Sequence, residues 1–189
     1  MIITPRLLSI GQRRSGYKLV SGDPKFIVIH DTGNPNSTAI GNAKWYQESY
    51  NGVFNKEGKR VLDCEQSAHL FIDDKEAIQV IPFDEKAWHV MYDKPADNQI
   101  FGDDANDIAL GVEICYGDQL DMQKVYWNAV ACVGDLCFLY HLHTHNLTTH
   151  FILDPMRKTD PLNALAACGK TWMKFLDDVY MYKYQIRKA

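Results

Sequence analysis

Two short runs, Phe26-Ile-Val-Ile-His30 and Ile108-Ala-Leu-Gly-Val112, constrain this chain more than anything else in it. Each is apolar at nearly every position and too short for a stable helix, so both are expected as buried strands. The first stops at a dense turn signal, Asp31-Thr-Gly-Asn-Pro35, which leaves His30 at the carboxyl end of a central strand, where α/β sheets bind ligands. The second continues into Glu113-Ile-Cys-Tyr116. A carboxylate inside such a run is costly unless it is paired or working, because burial favours its neutral form and raises its pKa.

The other elements follow from periodicity and punctuation. Residues 1–24 are turn-rich and read as an extended arm packed on a unit over 25–189. Ser37 or Thr38 can cap a helix reaching about Tyr50, followed by a polar loop over 51–58. Apolar runs at 67–72 and 77–81, joined by four charged residues, read as a hairpin. The stretch 91–107, with Asp at 93, 97, 103, 104 and 107, reads as a solvated loop, one able to form a lip of a groove. Val125, Ala129, Val133, Leu136 and Tyr140 share one face of a helix over 124–140. A short strand over 146–152 carries His150, and a last helix spans 162–182. Gly169 lies inside that helix, which predicts close packing there. Strands alternating with helices predict the fold class: α/β, with a single central mixed β-sheet flanked by helices.

Composition excludes several classes. Net charge is −4 and charged residues make up 23%, so no basic field argues for nucleic acid. No apolar run is long enough to span a bilayer, and residues 1–24 lack an apolar core of signal-peptide length, so synthesis in the cytoplasm without membrane insertion is expected. The five cysteines, at 64, 115, 132, 137 and 168, form no C-x-x-C pair and read for the most part as small buried hydrophobes rather than a disulfide frame.

The densest chemistry lies between His150 and Pro161, where an imidazole, Lys158 and Asp160 share one loop. With His30 they offer two histidines and a carboxylate, a donor set that leaves a fourth tetrahedral position open on zinc. The same loop also reads as a helix start, with Asp160 as N-cap and Pro161 in the first turn. The alternate histidines 141, 143 and 145 follow a helix end, where polar groups suit the exposed carbonyls, and are not assigned to the site.

Five segments together resemble the zinc-dependent N-acetylmuramoyl-L-alanine amidases of the amidase type 2 family, which includes phage endolysins, bacterial muropeptide amidases and the peptidoglycan recognition proteins. They are residues 27–35, 67–70, 81–89, 111–115 and 150–161. The resemblance implies one catalytic zinc held by His30, His150 and Asp160, where many relatives have Cys at the third position. It implies Glu113 as the catalytic carboxylate, Lys158 as the cation that faces the transition state, and His69 and His89 as residues lining the substrate groove. It further implies hydrolysis of the amide between N-acetylmuramic acid and L-alanine in bacterial peptidoglycan. Within the family the chain is most similar to endolysins, expected as monomers made in the cytoplasm that reach the wall after release. No wall-binding module is visible in the sequence. A peptidoglycan-binding recognition module without catalysis is the alternative, and a thiol hydrolase using one of the cysteines is a third reading.

Overall fold

The computed structural model describes residues 1–92 and 94–184; Asp93 and the last five residues of the expected 25–189 unit lie outside the described residues. Its centre is β2 (Phe26–Asp31), buried at all six positions. It lies parallel between β7 (Ala109–Ile114) and β8 (Leu147–Thr149). Outward from β7 come β5 (Leu70–Ile72) and β6 (Ala77–Gln79), an antiparallel hairpin as expected from the sequence. The arm supplies the far edge: β1 (Ile3–Pro5) pairs parallel with β6, giving the order β1-β6-β5-β7-β2-β8. The sheet is therefore mixed, as the alternation of elements predicted.

Its two faces are buried differently. On one, Ile27, Ile29, Leu110 and Val112 pack against the apolar side of α4 (Met122–Leu139) and against Phe175 and Val179 of α7 (Trp172–Tyr184). On the other, Phe71 and Ile78 lie under Ala39 and Ala43 of α1 (Ala39–Glu48). Thr38 caps α1 through its Oγ1, and the buried Asp73 accepts from the Ala39 amide at 2.8 Å. One carboxylate thus ties the hairpin turn to the start of a helix 34 residues away.

Four expectations need correction. The segment 51–58 is not all loop, since β3 (Val53–Phe54) pairs with β4 (Arg60–Leu62). The segment 91–107 is not simply a solvated loop: it contains α2 (Ala96–Phe101) and α3 (Ala105–Ile108). Phe101 stacks on Phe26 of the central strand with ring centroids 3.8 Å apart. Two of its acids are internal supports, Asp97 accepting from the Ala105 amide and Asp104 from the Asn106 amide. His150 does not lie in a strand: β8 ends at Thr149, whose hydroxyl caps α5 (His150–Leu153). Lastly, the final helix is broken. Gly169, at φ +65°, follows the end of α6 (Leu162–Ala167), and α7 starts afresh after Thr171, whose hydroxyl accepts from the Lys174 amide. Nothing lies within 4 Å of a Cβ built on Gly169. The left-handed backbone, not close packing, calls for glycine there.

Candidate active site

His30 and Glu113 are register partners on adjacent parallel strands, so their side chains leave the same face at the carboxyl end of the sheet. His150 opens α5 directly after β8, the strand on the other side of β2. Asp160 arrives from the loop beyond α5. Its carboxylate is not the cap of the following helix, which settles one alternative left by the sequence: α6 has no side-chain cap from its own N-cap residue. The cap comes from Asp31, whose Oδ2 accepts from the Asn163 and Ala164 amides at 3.2 and 3.3 Å. The residue next to His30 therefore fixes the helix next to Asp160, holding together two groups 130 positions apart. No local signal could have revealed Asp31 in this role.

Freed from capping, Asp160 Oδ2 lies 2.9 Å from His30 Nδ1 and 3.0 Å from His150 Nδ1. One donor atom from each of the three residues lies within 4.8 Å of the other two, the only such grouping of metal-ligating side chains among the described residues. Burial pushes the His30 imidazole down to about 4, despite the raising effect of Asp160. It is a neutral donor at physiological pH, the form that binds a metal. Burial alone pushes the Asp160 carboxyl up, but the hydrogen bonds from His150 and His30 outweigh it and hold the group below the usual carboxylate range. Two imidazoles and one ionised carboxylate, converging and mostly buried, fit a divalent zinc.

Glu113 faces this cluster from a half-buried position, with Oε2 fully buried and without a hydrogen-bond partner among the described residues. Burial, then the charges of Asp160 and Asp31, push its pKa well above the usual value. A buried carboxylate oxygen without a partner is uncommon in a settled core. Glu113, His30, His150, Lys158 and Asp160 all line one groove of about 690 Å³.

The two groove histidines implied by the resemblance divide. His89 lines the groove, and its Nδ1 lies 3.1 Å from His30 Nε2. His69 does not: it is fully buried, accepting from the Gly111 amide at Nδ1 and meeting the Glu85 carbonyl at Nε2. Its ring joins the hairpin to β7, so it supports the sheet and cannot touch a ligand in the groove. Gly111 has a reason of its own. A Cβ there would lie 2.7 Å from His89 Cγ, so the imidazole rests on bare backbone. Gly111→Ala is expected to displace His89 and cost about 1–3 kcal/mol, read as a lower thermal midpoint and a His89 ring signal shifted in the NMR spectrum.

The five cysteines are buried and free. Burial pushes the Cys115 thiol far up and the Cys132 and Cys137 thiols to about 12. Thiols pushed up in this way supply no thiolate at neutral pH, and none of the five cysteines lines the groove that holds Glu113, which argues against the thiol-hydrolase reading. Among the described residues no helix is long and apolar enough to cross a membrane.

Similarity to known proteins agrees with this geometry. The chain is 30% identical over 139 residues to the N-acetylmuramoyl-L-alanine amidase CwlL of Bacillus licheniformis, covering 73% of this chain and 36% of that protein. It is 28% identical over 144 residues to the 1,6-anhydro-N-acetylmuramyl-L-alanine amidase AmpD of Escherichia coli K12, covering 73% of this chain and 75% of AmpD. The match thus spans about a third of the Bacillus relative and most of the enteric one. The solved PlyG catalytic domain superposes with a TM-score of 0.69 at 26% identity, covering 97% of this chain and 96% of that one. The catalytic domain of XlyA superposes with a TM-score of 0.71 at 22% identity, covering 95% and 99%, a likeness of fold. Residues 21–163, most of the chain and a span that includes His30, Glu113, His150, Lys158 and Asp160, match the model of the N-acetylmuramoyl-L-alanine amidases, and the chain belongs to that family.

Proposed function

We propose that this chain is a zinc-dependent hydrolase that cuts the amide between N-acetylmuramic acid and L-alanine in bacterial peptidoglycan, acting as an endolysin. One observation carries the reading. In a chain of this family, two histidines and Asp160 converge within 4.8 Å beside a groove that also presents Glu113, one of whose oxygens is buried with no partner among the described residues.

His30, His150 and Asp160 would hold the zinc. When bound, zinc polarises the scissile carbonyl and brings a water pKa from 15.7 down to about 7. Glu113 takes the proton of the attacking water and passes it to the leaving nitrogen, a task suited to a carboxyl whose pKa burial has raised above the ordinary glutamate value. The Lys158 ammonium offsets the negative charge that develops on the carbonyl oxygen; losing one such group typically costs about 10²–10³ in turnover. Asp31 holds α6 and the Asp160 loop against β2, so the donors stay convergent when the groove is empty of substrate.

Metal analysis combined with product identification tests the proposal. Purified protein should carry about one zinc, and digestion of purified walls should release new L-alanine amino termini without new reducing sugars. Reducing ends without free L-alanine termini would identify a glycosidase. Wall binding with no metal and no released product would identify a recognition module.

A further inference from the structure

A second groove of about 700 Å³ adjoins the catalytic one, and the two share Gln66, Trp88, Val90 and Met91 as a common wall. Its remaining lining comes from Gln12 and Ser15 of the arm, from Glu65, and from Tyr92 and Asn106 of the segment 91–107. We propose that this groove holds the glycan strand beyond the muramoyl residue being cut, as a saccharide subsite at least one sugar long. The inference rests on the proposed amidase function and adds where the sugar chain runs.

Three observations favour a saccharide. Trp88 and Tyr92 form an adjacent aromatic pair, centroids 6.0 Å apart and planes at 49°. Tyr92 is 55% exposed yet held in place by its hydroxyl, which donates to Asp107 at 2.9 Å. A ring that is both exposed and fixed is suited to stack on a flat, weakly polar partner. Next, the loop carrying these rings is braced from behind. Asn106 Oδ1 accepts from the His89 and Val90 amides, and its Nδ2 donates to the Val90 carbonyl. That bracing fixes the backbone between the two rings, and the Trp88 amide itself donates to the Ser67 hydroxyl at 2.9 Å.

The third observation is charge. The remaining polar lining is amide and hydroxyl, with Glu65 its one charged group, whereas Arg157 and Lys158 line the catalytic groove and not this one. A stem peptide carries free carboxylates and is disfavoured beside Glu65. A glycan whose lactyl carboxyl is tied up in the peptide amide is neutral, and its hydroxyls and acetamides match Gln12, Ser15 and Gln66.

The test compares two substrates bearing the same stem peptide: N-acetylmuramoyl-peptide, and the alternating tetrasaccharide of N-acetylglucosamine and N-acetylmuramic acid. The zinc-loaded enzyme should show KM roughly tenfold lower for the tetrasaccharide. Tyr92→Ala should bring the ratio of kcat/KM between the two substrates close to one, and Tyr92→Phe, which keeps the ring but frees it from Asp107, should retain an intermediate preference. An unchanged ratio in Tyr92→Ala, or no preference in the wild type, would overturn the subsite while leaving the amidase reading intact. Cleavage of neither substrate would overturn both. Competition by the free peptide that Tyr92→Ala abolishes would assign the groove to the peptide instead.

Discussion

Replacing Glu113 by Gln is expected to lower turnover by about 10²–10⁴-fold while leaving zinc content at about one per chain. The amide keeps the size of the carboxyl and removes its capacity to take a proton. Glu113 is not one of the three converging donors, so the metal should stay. Stability gives an independent readout. Burial, followed by the charges of Asp160 and Asp31, raises the folded-state pKa of Glu113. The folded protein therefore holds this proton to a higher pH than the unfolded chain does. The associated stability is complete below the unfolded pKa of about 4.3, and is lost as pH rises through the raised folded value. Gln escapes that loss. In chelator-treated protein, Glu113→Gln should match or exceed the wild type in stability, with an advantage that grows from mild acid to neutral pH. Denaturant titrations across that range measure it, and turnover within a few-fold of wild type would remove Glu113 from the role of base.

Glu113 and Lys158 show why much of the candidate site was legible in the chain and why some was not. A glutamate in an apolar strand contradicts its own surroundings, and such a local contradiction can be seen without coordinates. The same holds for a histidine ending a buried strand, and for His150, Lys158 and Asp160 crowded into one loop. The amphipathic stripe of α4 and the two buried runs also declare themselves, because hydrophobic period is a property of neighbours in sequence. What stayed hidden depends on partners distant in the chain. Asp31 looks like part of a turn until its carboxylate is found on the amides of Asn163 and Ala164. Gly111 looks like one weak position in a strand until His89 is found lying on it. His69 was misread for the same reason, since its neighbours suggest a groove and only the contacts with Gly111 and Glu85 show it spent on structure. Gly169 carried a local signal that was weighed wrongly: its left-handed backbone ends a helix that the apolar pattern alone would have continued.

Asp160→Ala should have the larger structural consequence of the two. It removes one of three converging donors, and a two-histidine remnant should not retain zinc through dialysis against a competing chelator. Activity should fall to background with it, since both the polarised carbonyl and the acidic water depend on the metal. The variant should also lose ligand-linked stabilisation, which for the wild type is about 2.7 kcal/mol at a free zinc concentration one hundred times Kd. Without metal the carboxylate still matters. Although burial alone would raise its pKa, the hydrogen bonds from His150 and His30 depress it. Its contribution is therefore present above the unfolded value of about 3.9, and is lost as pH falls through the lower folded value. Chelated Asp160→Ala should be less stable than chelated wild type at neutral pH by about 1–3 kcal/mol, the cost of leaving buried imidazole groups unpaired, and the gap should close in strong acid. Asp160→Cys separates ligation from packing. A thiolate is a good zinc ligand but a poor substitute for a carboxylate as a hydrogen-bond acceptor. It should recover zinc without recovering the stability of the metal-free protein. Recovery of neither would mean that Asp160 holds the loop in place, not the ion. Wild-type zinc content in Asp160→Ala would move the metal away from this cluster altogether.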